Sequence, residues 1–185
     1  METAEKRVSG KTVYDGKILK VVCDEVSLPD GKTSQREIVR HSGGACILAE
    51  TDQGIALVSQ FRYAYNEEIL EIPAGKLKKD EDPASCALRE CVEETGLKPL
   101  NLRKLGEIYP SPGYTDEIIH VYYADRFERV GQKLDEGEFL NLLFVDREKF
   151  FRMVFSGEIR DAKTVASAYY LKSASDVVKG MKGSD

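Results

Sequence analysis

The stretch Gly75–Leu97, GKLKKDEDPASCALRECVEETGL, sets the reading of the whole chain. Asp82 has the side chain of a helix N-cap, and Pro83 falls at the first helical position, where a missing N–H costs nothing. Ala84, Leu88, Cys91 and Val92 recur at helical spacing as one apolar stripe, and Gly96 supplies a left-handed stop. The spacing predicts a helix from about Pro83 to Thr95. On it Glu90 and Glu94 are four positions apart with Glu93 beside them, so three carboxylates share a face next to the stripe. They also sit in the C-terminal half, where the helix dipole is already negative. Like charges so placed cost a few tenths of a kcal/mol each, so the arrangement gains nothing unless a cation joins it. Two readings follow from the acids alone. One is a solvated face on which Arg89 pairs with Glu93; the other is a site for a hard divalent cation, which takes oxygen ligands and keeps several waters.

On the N-terminal side of this helix the periodicity is two. Residues 1–11 are polar and read as loose, and from Thr12 to about Arg40 two or three antiparallel strands are expected, with a turn at Pro29-Asp30-Gly31. After Gly43-Gly44 come a buried run, ACILAE, the turn TDQG and the strands IALVSQF and ILEIP. On the C-terminal side, strands are expected around Lys104–Tyr109, Glu117–Ala124 and Phe139–Val145, then helices near Arg147–Phe155 and Ala162–Ser173. The reading divides the chain into an N-terminal β-domain over 1–41, a main α/β domain over 42–175 and a frayed tail over 176–185.

Composition narrows the classes. The 185 residues hold 27 Lys+Arg against 32 Asp+Glu, a formal charge of -5, and 42% are hydrophobic. Such a chain buries a real core, and its acidic balance argues against a nucleic-acid binder that works by neutralising phosphates. No run of about 18 apolar residues is present, and METAEKRV lacks the apolar stretch of a signal peptide, so a cytoplasmic protein with no membrane partner is expected. The four cysteines form no CxxC pair and the two histidines lie in unrelated segments, so any metal must be held by carboxylates. Six acids and one base lie between Asp80 and Glu94, and the bases and acids outside that segment cancel. The whole charge excess is therefore local.

The quoted stretch resembles the Nudix box: Gly75, then Glu81 after five residues, Arg89-Glu90 after seven more, then Glu93-Glu94, Gly96 and Leu97. Cys91 stands where a larger aliphatic is usual. The resemblance implies an α/β/α sandwich around a mixed β-sheet, plus a small N-terminal antiparallel β-domain. It also implies hydrolysis of a nucleoside diphosphate linked to another group. Glu90 and Glu94 would be the principal metal ligands, Glu93 a further one, and the carbonyl of Ala74 would complete the protein shell around Mg²⁺, with Mn²⁺ as a substitute. Arg89 would orient the glutamates and Glu81 brace the loop that begins at Gly75.

Pro112, sixteen residues beyond Gly96 in SPGYTDE, narrows the resemblance to the ADP-ribose pyrophosphatase subfamily. There Glu117 would reach the ribose-side groups of the substrate and Arg62, in SQFRYAY, would hold the diphosphate. The acidic loop Leu134–Glu138 resembles the loop that supplies the catalytic base; Glu136 is placed as the base and Glu138 as an extra metal ligand, with the order open to reversal or one residue doing both jobs. The first forty residues resemble a β-domain that is exchanged in a homodimer and helps bind adenine, so that Arg36 would stack on the base and Glu37 contact its exocyclic amine. Some relatives carry an aromatic where this chain has Lys17-Ile18, so the adenine sandwich would be one-sided or completed by another group. Three functions follow: cleavage of ADP-ribose to AMP and ribose 5-phosphate, the same chemistry on another nucleoside diphosphate sugar or dinucleotide, or a sensor that binds an ADP-ribose-like ligand without cleaving it.

Overall fold

The protein is described here by a computed structural model covering residues 2–182, with side chains described for residues 2–173. It divides into two compact units, one formed by residues 2–43 with 109–118 and the other by 44–108 with 119–182.

The first unit is a three-stranded antiparallel sheet in the order β1-β2-β3, with β1 Lys6–Asp15, β2 Lys20–Ser27 and β3 Thr33–Arg40. Pro29-Asp30-Gly31 does turn the chain between β2 and β3: the Gly31 N–H donates to the Leu28 carbonyl at 2.9 Å and the Asp30 carboxylate accepts from the Lys32 N–H at 3.0 Å. The expectation that residues 1–11 are loose is corrected, because β1 starts at Lys6. Every residue of β1 is exposed, so no buried alternation marks it in the sequence; pairing with β2 holds it, reinforced by Arg7 against the buried Asp24 at 3.0 Å. Residues 109–118, expected in the main domain, join this unit through the edge of β3. The Val39 N–H donates to the Tyr114 carbonyl, the Asp116 N–H to the Val39 carbonyl, and the Asp116 carboxylate accepts from Arg40 and from the His41 N–H.

The second unit is built on a mixed seven-stranded sheet whose main path runs β12-β5-β4-β10-β9. Its strands are β4 Gly44–Thr51, β5 Gly54–Arg62, β6 Glu67–Glu71 on β5, β7 Ala74–Lys76 on β4, β9 Arg103–Ile108, β10 Ile119–Ala124 and β12 Leu140–Val145. Only β4 and β10 run parallel among these pairs. A separate ribbon pairs β8 Leu97–Pro99 with β11 Phe127–Arg129. The run ACILAE is buried on both faces, as a central strand requires. Cys46 and Leu48 face one cluster with α2 Arg147–Phe155 and α3 Ala162–Lys182, while Ala45, Ile47 and Ala49 face another with α1 Pro83–Thr95. The expected α/β/α layering is present. Helix α3 continues past Ser173 to Lys182; residues 183–185 of the expected frayed tail lie outside the described residues. No described helix is long and apolar enough to cross a membrane.

Helix α1 has the expected ends. The Asp82 carboxylate accepts from the Ala84 and Ser85 N–H groups, and Gly96, at φ 68°, donates its N–H to the Val92 carbonyl. Its buried face departs from the expected stripe. Cys86, Ala87 and Cys91 are fully buried and Ala84 packs beside them, whereas Leu88 and Val92 are half-buried. Small side chains let the helix approach the alanines of β4 closely; larger ones are displaced to its flanks.

Candidate active site

The strand pair β4–β7 and helix α1 build the site. At Gly75, on β7, a Cβ would lie 1.8 Å from a carboxylate oxygen of Glu90. That glycine is the space Glu90 occupies. Arg89 gathers the acids around it: its Nε and Nη2 reach both oxygens of Glu81 at 2.8 and 2.9 Å, its Nη1 reaches Glu90 at 2.5 Å and Glu93 at 2.8 Å, and Nη2 also reaches the Lys76 carbonyl at 3.2 Å. Glu81 in turn accepts from the Lys78 N–H at 2.8 Å and so ties the loop to the helix. Cys86 adds a contact that sequence reasoning did not single out: its sulfur lies 3.6 Å from the carbonyls of Gly75 and Lys76.

Glu94 stands apart from this arginine. It is 3% exposed and accepts from the Ala74 N–H at 3.1 Å, so the contact seen at Ala74 is through its N–H, whereas its carbonyl was the expected ligand. Burial, with repulsion from Glu90 and Glu138, pushes the Glu94 carboxyl up to about 8. Glu90 is also raised, by burial first and by Glu93 and Glu138, against the pull of Arg89. Glu138 is therefore within electrostatic reach of both. Its loop is fastened to the end of α1, where the Lys133 N–H donates to the Glu93 carbonyl, the Gln132 side chain to the Glu94 carbonyl and the Val130 N–H to the Gly96 carbonyl. These bonds take up carbonyls that a helix end otherwise leaves unpaired. Glu138 also lines a cavity of about 280 Å³ with Ser59, Phe61 and Phe139. Glu136, two positions back, is exposed.

The donor set is all oxygen and carries more negative charge than its protein cations balance, which fits a hard divalent cation. Among the described residues, no three His, Cys, Asp or Glu side chains already converge as a ligand set; Glu90 and Glu93 are turned to Arg89 and Glu94 to Ala74.

Residues 39–167 match the NUDIX domain. This chain is a Nudix hydrolase. Residues 5–39 match the N-terminal domain of nucleoside diphosphate sugar hydrolases. The chain is 43% identical over 171 residues to an ADP-ribose pyrophosphatase of Bacillus subtilis (strain 168), covering 91% of this chain and 92% of that protein. It is 40% identical, over the same length and coverage, to a methanol dehydrogenase activator of Bacillus methanolicus. A crystal structure of an ADP compounds hydrolase superposes with a TM-score of 0.81 at 17% identity, covering 96% of this chain and 95% of that one, which shows the shared fold.

The remaining expected Nudix site residues fall outside the carboxylate cluster. Arg62, at the end of β5, gives its Nε and Nη2 to the two oxygens of Glu71, at 2.5 and 2.7 Å. In the first unit, Arg36 is gripped by Glu5 at 2.6 and 2.9 Å, and Glu37, its neighbour on β3, points to the other sheet face. Glu117 lies 3.3 Å from His41, and Pro112 is in the 109–118 segment. Sequence reasoning passed over Glu71, Asp161, Lys163 and Thr164. Glu71 was visible as a lone acid inside the apolar run ILEIP, and Asp161 as an acid immediately before a helix.

Proposed function

We propose that this Nudix hydrolase cleaves the pyrophosphate bond of ADP-ribose, giving AMP and ribose 5-phosphate, with Mg²⁺ as its cofactor and Mn²⁺ as a substitute. The observation that carries the reading is the set of carboxylates that α1 brings beside Gly75, Glu90, Glu93 and Glu94, in which burial and neighbouring acids raise the proton affinity of Glu90 and Glu94. Such a set is stable at neutral pH only as a proton trap or as a cation site. The likeness to an ADP-ribose pyrophosphatase over nearly the whole chain supports the substrate.

Glu90, Glu93 and Glu94, with the Ala74 carbonyl and Glu138, would hold the cation, which when bound lowers the pKa of water and neutralises charge on the phosphate oxygens. The protein's own groups do the rest. A carboxylate of the acidic loop takes the proton of the attacking water, whose oxygen bonds to one phosphorus while the other phosphate leaves. Glu136 would be this base and Glu138 the extra ligand, or Glu138, which is within electrostatic reach of Glu90 and Glu94, would do both jobs. Arg62 holds the diphosphate through its planar, multi-donor head. Arg89 and Glu81 keep the acids in register. In the first unit Arg36, Glu37 and Glu117 would contact the nucleoside and ribose, Pro112 would shape its loop, and the exposed strands would be exchanged in a homodimer.

The match of residues 5–39 to nucleoside diphosphate sugar hydrolases keeps a second reading, the same cleavage of another such sugar. A panel of ADP-ribose, other ADP-sugars, GDP-mannose, UDP-glucose and NADH, assayed with Mg²⁺ and with chelator, decides between them. ADP-ribose is expected to give the highest kcat/KM, and Glu94→Gln to lower it by more than about 100-fold, beyond the loss typical of outer-sphere groups. Undiminished turnover by Glu94→Gln would remove the metal-ligand assignment. Binding of ADP-ribose without cleavage of any compound would leave the sensor.

A further inference from the structure

A set of four charged groups lies at the start of α3, with Lys163 within electrostatic reach of Glu94. Lys163 is 9% exposed and its ammonium donates to Glu71 and, at 2.9 Å, to Asp161. Glu71 is 2% exposed and uses both of its oxygens on the guanidinium of Arg62. Asp161 in turn caps α3, accepting from the Thr164 N–H at 3.0 Å and from its hydroxyl at 2.6 Å. The Thr164 hydroxyl oxygen accepts from the Ile72 N–H at 2.9 Å. The first turn of α3 therefore grips both the side chain of Glu71 and the backbone of the next residue.

Two acids and two bases balance here, so the set needs no external ion. Its members differ in exposure: the side chains of Glu71, Lys163 and Asp161 are 3%, 10% and 17% exposed, whereas that of Arg62 is 42% exposed. The chain of contacts runs from the interior outward and ends on Arg62. A bidentate contact along the Nε–Nη2 edge fixes the plane of a guanidinium as well as its position. Glu71 makes that contact, and Glu71 is itself fixed by Lys163. The backbone of Arg62 is pinned as well, its carbonyl accepting from the Tyr65 and Asn66 N–H groups at 2.9 Å.

We propose that Lys163 is a positioning residue for substrate: through the Glu71 carboxylate it holds Arg62 in the orientation that receives the diphosphate. This rests on the reading of Arg62 as the diphosphate-binding arginine. Without Lys163, Glu71 keeps one cation and loses the contact that fixes its plane, and Arg62 follows it. A purely structural Lys163 would lower stability and leave the affinity of folded enzyme for substrate unchanged.

The test is a double-mutant cycle with Arg62→Ala and Lys163→Met. It is read as KM and kcat for ADP-ribose and as the Kd of its non-hydrolysable methylene analogue by calorimetry, with thermal melts to confirm folding. Arg62→Ala should raise Kd and KM about 10- to 100-fold, the range for a charged hydrogen-bonding partner. Lys163→Met should raise both about tenfold and leave kcat within about twofold, and in the Arg62→Ala background it should add nothing. An equal Lys163→Met effect in both backgrounds, or none in the wild type, overturns the proposal and leaves the reading of Arg62 intact. No effect of Arg62→Ala overturns that reading and the proposal with it. If Lys163→Met does not fold, Lys163→Gln, which removes the charge and keeps a donor, takes its place in the cycle with the same expected coupling.

Discussion

Glu71 and Glu94 are buried to the same depth, 2% and 3% exposed, yet their proton affinities shift in opposite directions. Burial pushes both carboxyls up. At Glu71 the hydrogen bonds and charges of Arg62 and Lys163 outweigh it, and the group lies below its ordinary range. At Glu94 the one hydrogen bond from Ala74 and the charge of Lys163 are outweighed by burial together with Glu90 and Glu138, and the group rises to about 8. Depth alone therefore does not set the proton affinity of an acid. The neighbours set the direction: Glu71 faces the cations Arg62 and Lys163, whereas Glu94 faces the acids Glu90 and Glu138 as well as Lys163.

Three substitutions can break or sharpen this contrast. The largest stability effect is expected for Glu71→Ala, which leaves Lys163 and Arg62 without their shared acid. Removing one partner of a buried pair costs about 3–5 kcal/mol, and denaturant unfolding should show it. Arg89→Ala should cost about 1–3 kcal/mol and lower activity as well, since it releases Glu81, Glu90 and Glu93 together. Arg89→Lys should not restore it, because an ammonium cannot span both oxygens of Glu81 and also reach the other two acids. A Lys variant as stable as wild type would show that only the charge matters.

The smallest and most diagnostic effect is on pH dependence in chelator. The folded value of Glu94, about 8, lies above its ordinary 4.5, so this group's stability contribution is full below pH 4.5. It is lost as pH rises through 8, because the unfolded chain gives up its proton first. The melting temperature of wild type minus that of Glu94→Gln should therefore fall across pH 4.5–8. Glu71, held below its ordinary value, contributes stability that is present above pH 4.5 and lost on acidification. Parallel slopes for the two sites would refute the contrast.

The sequence made one half of this legible. Helix α1 could be placed to the residue because its signals are local: Asp82-Pro83 at one end, Gly96 at the other and acids four positions apart. The Nudix resemblance, resting on those same residues, carried the fold and the family. The complementary network was hidden because Glu71 meets Lys163 across 92 positions of sequence, and no local periodicity encodes such a contact. Strand β1 was half missed because it buries nothing. The short ribbon β8–β11 offers three residues a side, too few for alternation to show. The apolar stripe of α1 was partly misdrawn because Cys86 and Ala87, small enough to touch the sheet, carry less hydrophobic signal than the flanking Leu88 and Val92.

The parallel pairing of β4 with β10 has a kinetic consequence. Gly44 through Cys46 lie between β7, which leads into the Nudix loop, and β10, whose Ile119 pairs with Gly44. The strand that supports the loop is therefore completed only by residues synthesised after the box itself. Long-range pairing of this kind is slow to form. A nascent or truncated chain ending before Ile119 would carry every glutamate of the box and still lack β10 and β12, two of the seven strands of the sheet that supports them, so hydrolytic activity should emerge late, as a report that the second unit has closed.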